Sequence, residues 1–263
     1  MTLAAPGAGA AGAAPAPLPL ALITGGTGGL GAAICAGLAG AGFRIAIGYH
    51  RSAPAAASLA ARLPGSGHFA VAAPVTDSGA LAAMAAEIER HCGRCDVLVN
   101  CAGTTRFVPH ADLTGLDDAL FDAIYAVNVR GAFATVRALQ HLLERGTLAG
   151  GGVVINISSI AAVTAQGSNV AYCASKAALD NMTRSLARAL APRIRVISVS
   201  PGLVDTDFVR ALDQAWRDQQ AARTPLRRLA QPVEVARAVV AAVTELTFTT
   251  GAIIAVDGGR PLG

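Results

Sequence analysis

Tyr172 and Lys176 stand four residues apart in Tyr-Cys-Ala-Ser-Lys. On a helix that spacing puts both side chains on one face. A phenol, ordinarily near pKa ~10, is a poor acid–base group at neutral pH. An adjacent ammonium favours the phenolate and brings the group nearer its working range. The lysine is conspicuous, because 21 residues are Lys or Arg and Lys176 is the only lysine among them. Unlike the fixed planar fork of arginine, lysine is a compact donor whose pKa moves with its surroundings. Ser159 lies 13 residues upstream of Tyr172. Either Ser158 or Ser159 alone reads as a loop or cap residue. In the crevice past a strand end, the Ser159 hydroxyl would face the same substrate carbonyl as the phenol.

A second constellation lies near the beginning. Leu20–Thr24 reads as a strand and runs into Gly25-Gly26-Thr27-Gly28-Gly29-Leu30-Gly31, where a helix begins. Glycines let backbone N–H groups approach a pyrophosphate, and the helix N-terminus adds partial positive charge. A dinucleotide ribose is usually met about 20 residues further on by an acid that reads its 2′-hydroxyl. Here the second strand ends Gly48-Tyr49-His50-Arg51-Ser52, and the first acid of the chain is Asp77. No carboxylate can read a 2′-hydroxyl from this region, whereas Arg51 can pair with a 2′-phosphate. The expectation is NADP(H) rather than NAD(H).

The elements that must hold these groups follow from the hydrophobic pattern. Strands are expected at Leu20–Thr24, Phe43–Tyr49, His68–Ala73, Asp96–Asn100, Gly152–Ile157, Ile194–Val199 and Ala252–Val256. Helices are expected at Gly29–Ala41, Ala53–Leu63, Ser78–His91, Leu116–Glu144, Val170–Leu190, Asp207–Ala222 and Pro232–Leu246. The strands are continuously apolar rather than alternating, as when both sheet faces are covered. Strand–helix repetition implies a parallel sheet with right-handed crossovers. The expected architecture is a single-domain α/β Rossmann fold, a doubly wound parallel sheet of about seven strands. It spans residues 19–263, preceded by an Ala/Gly/Pro-rich flexible tail over residues 1–18.

Composition excludes several alternatives. The chain has 263 residues, 53% hydrophobic and 14% charged, enough for a full core and too apolar for disorder. No run of ~18 apolar residues escapes interruption by Gly, Thr or charge, so no membrane partner is expected. The net charge of +4 comes from scattered arginines, with no stripe for nucleic acid. Five cysteines and no export-signal pattern point to reduced thiols and a cytoplasmic setting. Cys92 and Cys95 form a C-x-x-C after a helix rather than at a helix start, the wrong place for a stabilised thiolate. No further ligands at zinc-like spacing accompany them, so no metal is expected. Trp216 reads equally as a lid contact or as helix packing.

Taken together and in order, these pieces resemble the short-chain dehydrogenase/reductase family over about residues 19–260. The resemblance is carried by Thr24-Gly25-Gly26-Thr27-Gly28-Gly29-Leu30-Gly31, Asn100-Cys101-Ala102-Gly103, Asn128, Ser159, Tyr172 with Lys176, Pro201-Gly202 and Val256-Asp257-Gly258-Gly259. Within the family it runs to the 3-oxoacyl-[acyl-carrier-protein] reductases and acetoacetyl-coenzyme A reductases. The stretch Pro225-Leu226-Arg227-Arg228-Leu229-Ala230-Gln231-Pro232 is also typical of that branch.

The resemblance implies a catalytic set of Asn128, Ser159, Tyr172 and Lys176. Tyr172 would protonate the carbonyl oxygen, Ser159 would hydrogen-bond it, and Lys176 would lower the phenol and hold the nicotinamide ribose. Asn128 would hold a water linking Lys176 to solvent. Cofactor contacts would come from Gly25, Thr27, Gly28, Gly29, Leu30 and Gly31, and from His50, Arg51 and Val75. Asn100, Ala102 and Gly103, then Pro201, Gly202 and Thr206, would complete them with Tyr172 and Lys176. The implied activity is NADPH-dependent reduction of a carbonyl, a 3-oxoacyl thioester on acyl-carrier protein or coenzyme A, by a homotetramer. Other ketones, sugars or polyols are the alternative substrates. A non-catalytic dinucleotide sensor would not need Ser159, Tyr172 and Lys176 together. Three departures stand out: Cys101 replaces the second Asn of Asn-Asn-Ala-Gly, Pro74 stands where an acid often meets adenine, and Gly28 stands where many NADP-dependent members carry a basic residue, so the NADP(H) expectation rests on Arg51 and the missing acid.

Overall fold

The computed structural model describes residues 18–262. All of the tail expected over residues 1–18 except Leu18 lies outside them. Seven strands form one parallel sheet in the order β3-β2-β1-β4-β5-β6-β7. They are β1 Leu20–Thr24, β2 Arg44–Tyr49, β3 Phe69–Ala72, β4 Val97–Asn100, β5 Gly152–Ile157, β6 Ile194–Pro201 and β7 Ile253–Val256. The order reverses between β1 and β4, which opens a crevice at their carboxyl ends, where doubly wound sheets bind ligands.

Helices cover both faces, so every side chain of β1, β4, β5 and β6 is buried, and alternate residues enter opposite cores. Ala21 and Ile23 of β1 join Ile34 and Leu38 of α1 (Gly29–Gly40) and Val235, Val239 and Val243 of α10 (Pro232–Thr244). Leu20 and Leu22 enter the other core with Leu81, Met84 and Ile88 of α3 (Ser78–Cys92). Helix α2 (Ala53–Arg62) contributes Ala56 to the first core. Arg195 is buried under the end of α10 and donates to the carbonyls of Ala242, Val243 and Leu246, closing a helix terminus whose last C=O groups have no internal partner.

The long helix expected over Leu116–Glu144 begins at Asp118 and is not uniform. Helix α4 (Asp118–Tyr125) passes into a π-helical turn over Ala126–Gly131, and α5 (Ala132–Leu143) continues it. Asp117 caps α4 by accepting from Leu120 N at 2.7 Å. By length and composition the combined segment Asp118–Leu143 is apolar enough to cross a bilayer. In this fold it is a core helix, burying Leu139, Leu142 and Leu143 against β4, β5 and α3. The helix expected over Asp207–Ala222 is two, α8 (Asp207–Arg210) and α9 (Gln214–Ala222). The break is fixed by Asp213, which accepts from Trp216 N and caps α9. A short α6 (Ala161–Thr164) precedes α7 (Val170–Leu190).

Strand register aligns four polar side chains. Thr24 pairs with Asn100, Asn100 with Asn156, and Asn156 with Ser198. Asn100 Nδ2 donates to Asn156 Oδ1 at 2.9 Å, and Asn156 Nδ2 donates to Thr183 Oγ1 of α7 at 2.8 Å. Buried polar groups must find partners, so this row fixes the strand register and docks α7 on the sheet. The segments leaving β1, β4, β5 and β6 therefore emerge side by side.

Candidate active site

The glycine loop leaves β1 at Thr24. Gly25 has φ +65°, and a Cβ there would lie 2.9 Å from Ala102 Cα. A Cβ on Gly31 would lie 2.2 Å from Gly25 O. Only glycine allows this tight turn and the close approach of α1 to the strand. Gly28 precedes α1 without any side-chain cap, and the first turn of the helix holds no acid. Its first N–H groups thus face the crevice with their dipole uncompensated. Thr27, Gly28 and Gly29 are exposed there, and Thr206 stands 3.6 Å from where a Gly29 Cβ would be. The segment Pro201–Thr206 accordingly closes over the loop from the β6 side.

This cradle fits a dinucleotide pyrophosphate: Gly25 and Gly31 are required by space, and the helix start is left open. His50 and Arg51 are exposed beyond β2, on the side where the adenosine ribose of such a ligand would lie. The first acid, Asp77, is occupied by capping α3, accepting from Ala80 N at 3.0 Å. Val75 is buried against Gly131 of the π-turn, within 2.8 Å of a Cβ position there. Most of its side chain is therefore committed to packing.

Thr24 Oγ1 accepts from the N–H of Cys101 and of Ala102, at 3.1 and 3.2 Å, and ties β1 to the loop after β4. Asn128 lies in the π-turn and is buried. Its Oδ1 accepts from Thr104 N at 2.8 Å; its Nδ2 donates to Thr104 O and to Ser175 Oγ, both at 3.1 Å. The side chain is thus engaged at both ends and holds the Gly103–Thr104 loop against α7. A Cβ on Gly103 would stand 3.5 Å from Asn128 Oδ1 and 3.9 Å from Lys176 Nζ. The inserted residue of a π-turn re-aims its side chains, as such turns often do at functional sites.

On α7, Asn169 caps the helix directly below the tyrosine, accepting from Tyr172 N at 2.7 Å. Its Nδ2 donates to Arg106 O and Thr105 Oγ1, stitching the loop after β4 to the start of α7. Tyr172 and Lys176 share one helix face, with Lys176 Nζ 5.7 Å from the phenol ring centroid. Lys176 is buried and donates to Ile157 O at 2.8 Å, at the end of β5. The Ser159 hydroxyl stands by the phenol and favours its ionised form. Ser158 is buried instead, donating to Lys176 O at 3.4 Å. The two adjacent serines thereby separate into one facing the site and one bracing the helix.

The electrostatics differ from the sequence expectation. Burial pulls Lys176 down from its ordinary 10.5 to about 8, with Cys101 and the Asp180 carboxylate one turn further along α7 partly opposing it. The phenol of Tyr172 is held above its ordinary value by burial, partly offset by the Ser159 hydroxyl. The expected depression of the phenol by the ammonium does not appear: burial raises the phenol, and it is the Ser159 hydroxyl that pulls it back. Cys101 is driven up to about 11 by burial against the pull of Lys176. It stays a neutral thiol and cannot neutralise the lysine. Cys92 and Cys95 are raised by burial as well, Cys95 to about 12, the reverse of a reactive thiolate pair.

Sequence reasoning missed Asn169, Thr104, Ser175 and Asp180. Asn169 carried a signal, an N-cap residue three before Tyr172. The others depend on packing that spacing does not reveal. What the structure assembles is a protonated phenol next to a hydroxyl, with a buried ammonium behind it, beside an open helix N-terminus. That arrangement can hand a proton to a carbonyl oxygen.

Comparison with known proteins gives a consistent result. A family model described as enoyl-(acyl carrier protein) reductase matches residues 25–260. Ketoacyl reductase 2 of the granaticin polyketide synthase of Streptomyces violaceoruber is 37% identical, covering 92% of this chain and 96% of the relative. The cis-4-hydroxycyclohexanecarboxylate dehydrogenase of Sinomonas cyclohexanicum is 38% identical, covering 91% and 95%. A solved short-chain dehydrogenase/reductase from Burkholderia xenovorans superposes with a TM-score of 0.87 at 34% identity, covering 94% of this chain and 99% of that one.

Proposed function

The chain belongs to the short-chain dehydrogenase/reductase family, and from that premise we propose that it reduces a 3-oxoacyl thioester to the 3-hydroxyacyl thioester with NADPH. It is an oxidoreductase of the NAD(P)-dependent kind that acts on CH–OH groups. The grouping of Ser159, Tyr172 and Lys176 beside the uncapped start of α1 supports carbonyl reduction, and the similarity to a ketoacyl reductase supports the thioester substrate.

When bound, the cofactor supplies a hydride to the carbonyl carbon. Tyr172 gives its phenolic proton to the carbonyl oxygen, so that C=O becomes CH–OH. The raised pKa keeps that proton in place until the oxygen becomes basic enough to take it. Ser159 donates to the same oxygen and orients it. Lys176 holds a positive charge below Tyr172, stabilises the phenolate left behind and binds the ribose hydroxyls. Asn128 acts by fixing the Gly103–Thr104 loop and the face of α7 that carries Lys176, and by holding the water through which the proton is replaced.

NADPH is favoured over NADH by exposed Arg51 and by the commitment of Asp77 to a helix cap. The exposed Phe121, stacked on Tyr125 at 5.0 Å, together with Phe133 and Val170, supports a homotetramer packed through α4, α5 and α7. A cytoplasmic setting is supported by free thiols at all five cysteines. A ring ketone is the second reading, favoured by similarity to the hydroxycyclohexanecarboxylate dehydrogenase.

The test is cofactor oxidation at 340 nm with NADPH and NADH against acetoacetyl thioesters, 4-oxocyclohexanecarboxylate, sugars and simple ketones. The thioester reading expects the highest kcat/KM with acetoacetyl thioester and NADPH. Higher kcat/KM on the ring ketone would move the assignment to the second reading. Tight cofactor binding with no turnover on any acceptor would refute both.

A further inference from the structure

A cavity of about 460 Å³ opens beside the candidate site, lined by Gln166, Thr224, Pro225 and the arginines Arg223, Arg227 and Arg260. Its position ties it to the chemistry. Gln166 immediately precedes Gly167, where a Cβ would lie 3.1 Å from the Tyr172 ring. Pro225 packs against Gly259, of the segment that closes behind Gly202.

The cavity is strongly cationic for its size. Among the described residues no carboxylate lines it, and none of its three arginines has an ion-pair partner. The nearby acids are used elsewhere: Arg210 and Arg217 share Asp205, and Arg228 pairs with Glu234 at 2.6 Å. Two of the three guanidinium groups, those of Arg227 and Arg260, are nonetheless held in place. Arg260 donates to Gln220 O at 3.1 Å and also to Gln220 Oε1. Arg227 adopts a left-handed backbone, φ +56°, and donates to Ala222 O at 2.8 Å. Thr224 is buried between them and donates to Gln220 O at 3.0 Å. Burial lowers the Arg260 guanidinium, and the like charge of Arg223 adds to it. Guanidinium groups gathered with unused donors and no acid among them are the chemistry of oxyanion recognition.

We propose that Arg223, Arg227 and Arg260 form a second binding site that takes an oxyanion carried by the substrate away from its reacting carbonyl. The shared chemistry is a carboxylate or a phosphate, from a small keto acid or from the coenzyme A arm of a thioester. The link to the substrate rests on the reductase reading above; the anion site itself does not.

The experiment compares matched acceptors with NADPH: 4-oxocyclohexanecarboxylate against its methyl ester, and acetoacetyl-coenzyme A against acetoacetyl-N-acetylcysteamine. Each is run with the wild type, with Arg223→Gln and with the double variant Arg223→Gln/Arg260→Gln. Arg223 is exposed, so the single variant keeps the fold if the double does not. The expected result is a KM for at least one anionic acceptor raised ~10- to 100-fold, as for loss of charge-assisted hydrogen bonds. Its kcat and the neutral partner stay within about twofold. The pair that responds distinguishes carboxylate from phosphate. Equal effects on neutral and anionic partners, or no effect on either pair, would overturn the proposal. If no acceptor is reduced, the reductase reading fails, and calorimetric titration with coenzyme A and with cyclohexanecarboxylate decides the site alone. Binding by the wild type that the variants lose supports it, and no binding of either by the wild type overturns it.

Discussion

Replacing Lys176 with Met should abolish turnover and yet stabilise the protein at neutral pH. The ammonium is buried, and its pKa falls from an ordinary 10.5 to about 8. That displacement is a penalty of roughly 3 kcal/mol on the charged form. At pH 7 the lysine is charged in both the folded and the unfolded chain, so the whole penalty falls on the folded state. Lys176→Met removes it but leaves Ile157 O without its donor, which costs about 1–3 kcal/mol. The net is a gain of about 1 kcal/mol, or a Tm about 2–4 °C higher for a chain of this size. The pH dependence is the sharper signature. Between pH ~8 and ~10.5 the folded lysine has lost its proton and the unfolded one has not, so wild-type stability rises with pH. The variant has no such contribution, and titrating groups not coupled to Lys176 cancel in the comparison. The advantage of Lys176→Met should therefore disappear and reverse, reaching about −2 kcal/mol by pH ~10.5. Thermal or urea unfolding of both proteins at matched pH values reads this directly. A stability difference that stays constant from pH 7 to 10 would refute the assignment of a strained, desolvated ammonium to this position.

Other perturbations separate the remaining parts of the site. Gly31→Ala drives a methyl group to 2.2 Å from Gly25 O; it should lower stability by roughly 1–3 kcal/mol and weaken cofactor binding in equilibrium fluorescence titration. Arg51→Ala should raise the KM for NADPH about tenfold while leaving that for NADH unchanged, in line with the loss of one charge-assisted contact. Asn128→Ala removes the acceptor of Thr104 N–H and a donor to the buried Ser175 Oγ; it should cost about 1–3 kcal/mol in denaturant unfolding and lower kcat more than it raises KM.

The strand positions are legible in the sequence because each is a short apolar run between turn-forming residues, and β1 and β5 fall on their expected bounds. The glycine loop is legible for a related reason: a cluster of glycines between a strand and a helix marks a tight turn, and at Gly25 and Gly31 a Cβ would strike backbone. The π-turn at Ala126–Gly131 is not, since Ala-Val-Asn-Val-Arg-Gly continues the apolar periodicity of an ordinary helix. Its extra residue becomes visible only once Asn128 must reach Thr104 and Ser175 together. The division of labour between Ser158 and Ser159 depends on which faces α7, and adjacent strand-end residues point oppositely by geometry alone. The sign of the Tyr172 shift is hidden too, because spacing reports a neighbouring charge but not the depth at which both groups sit. The basin of three arginines joins Arg223 and Arg227, near each other in sequence, to Arg260, which arrives from beyond β7. No local motif announces it.

The central claim is that the Tyr172 hydroxyl supplies the proton while the rest of the site binds. Tyr172→Phe removes one oxygen atom and nothing that touches the glycine loop. Single-turnover reduction of acetoacetyl thioester by the preformed NADPH complex, with the cofactor Kd measured alongside, tests it. The account predicts a Kd within about twofold of the wild type and hydride transfer slower by ~10³-fold or more. Hydride transfer at an undiminished rate in the Phe variant would contradict it.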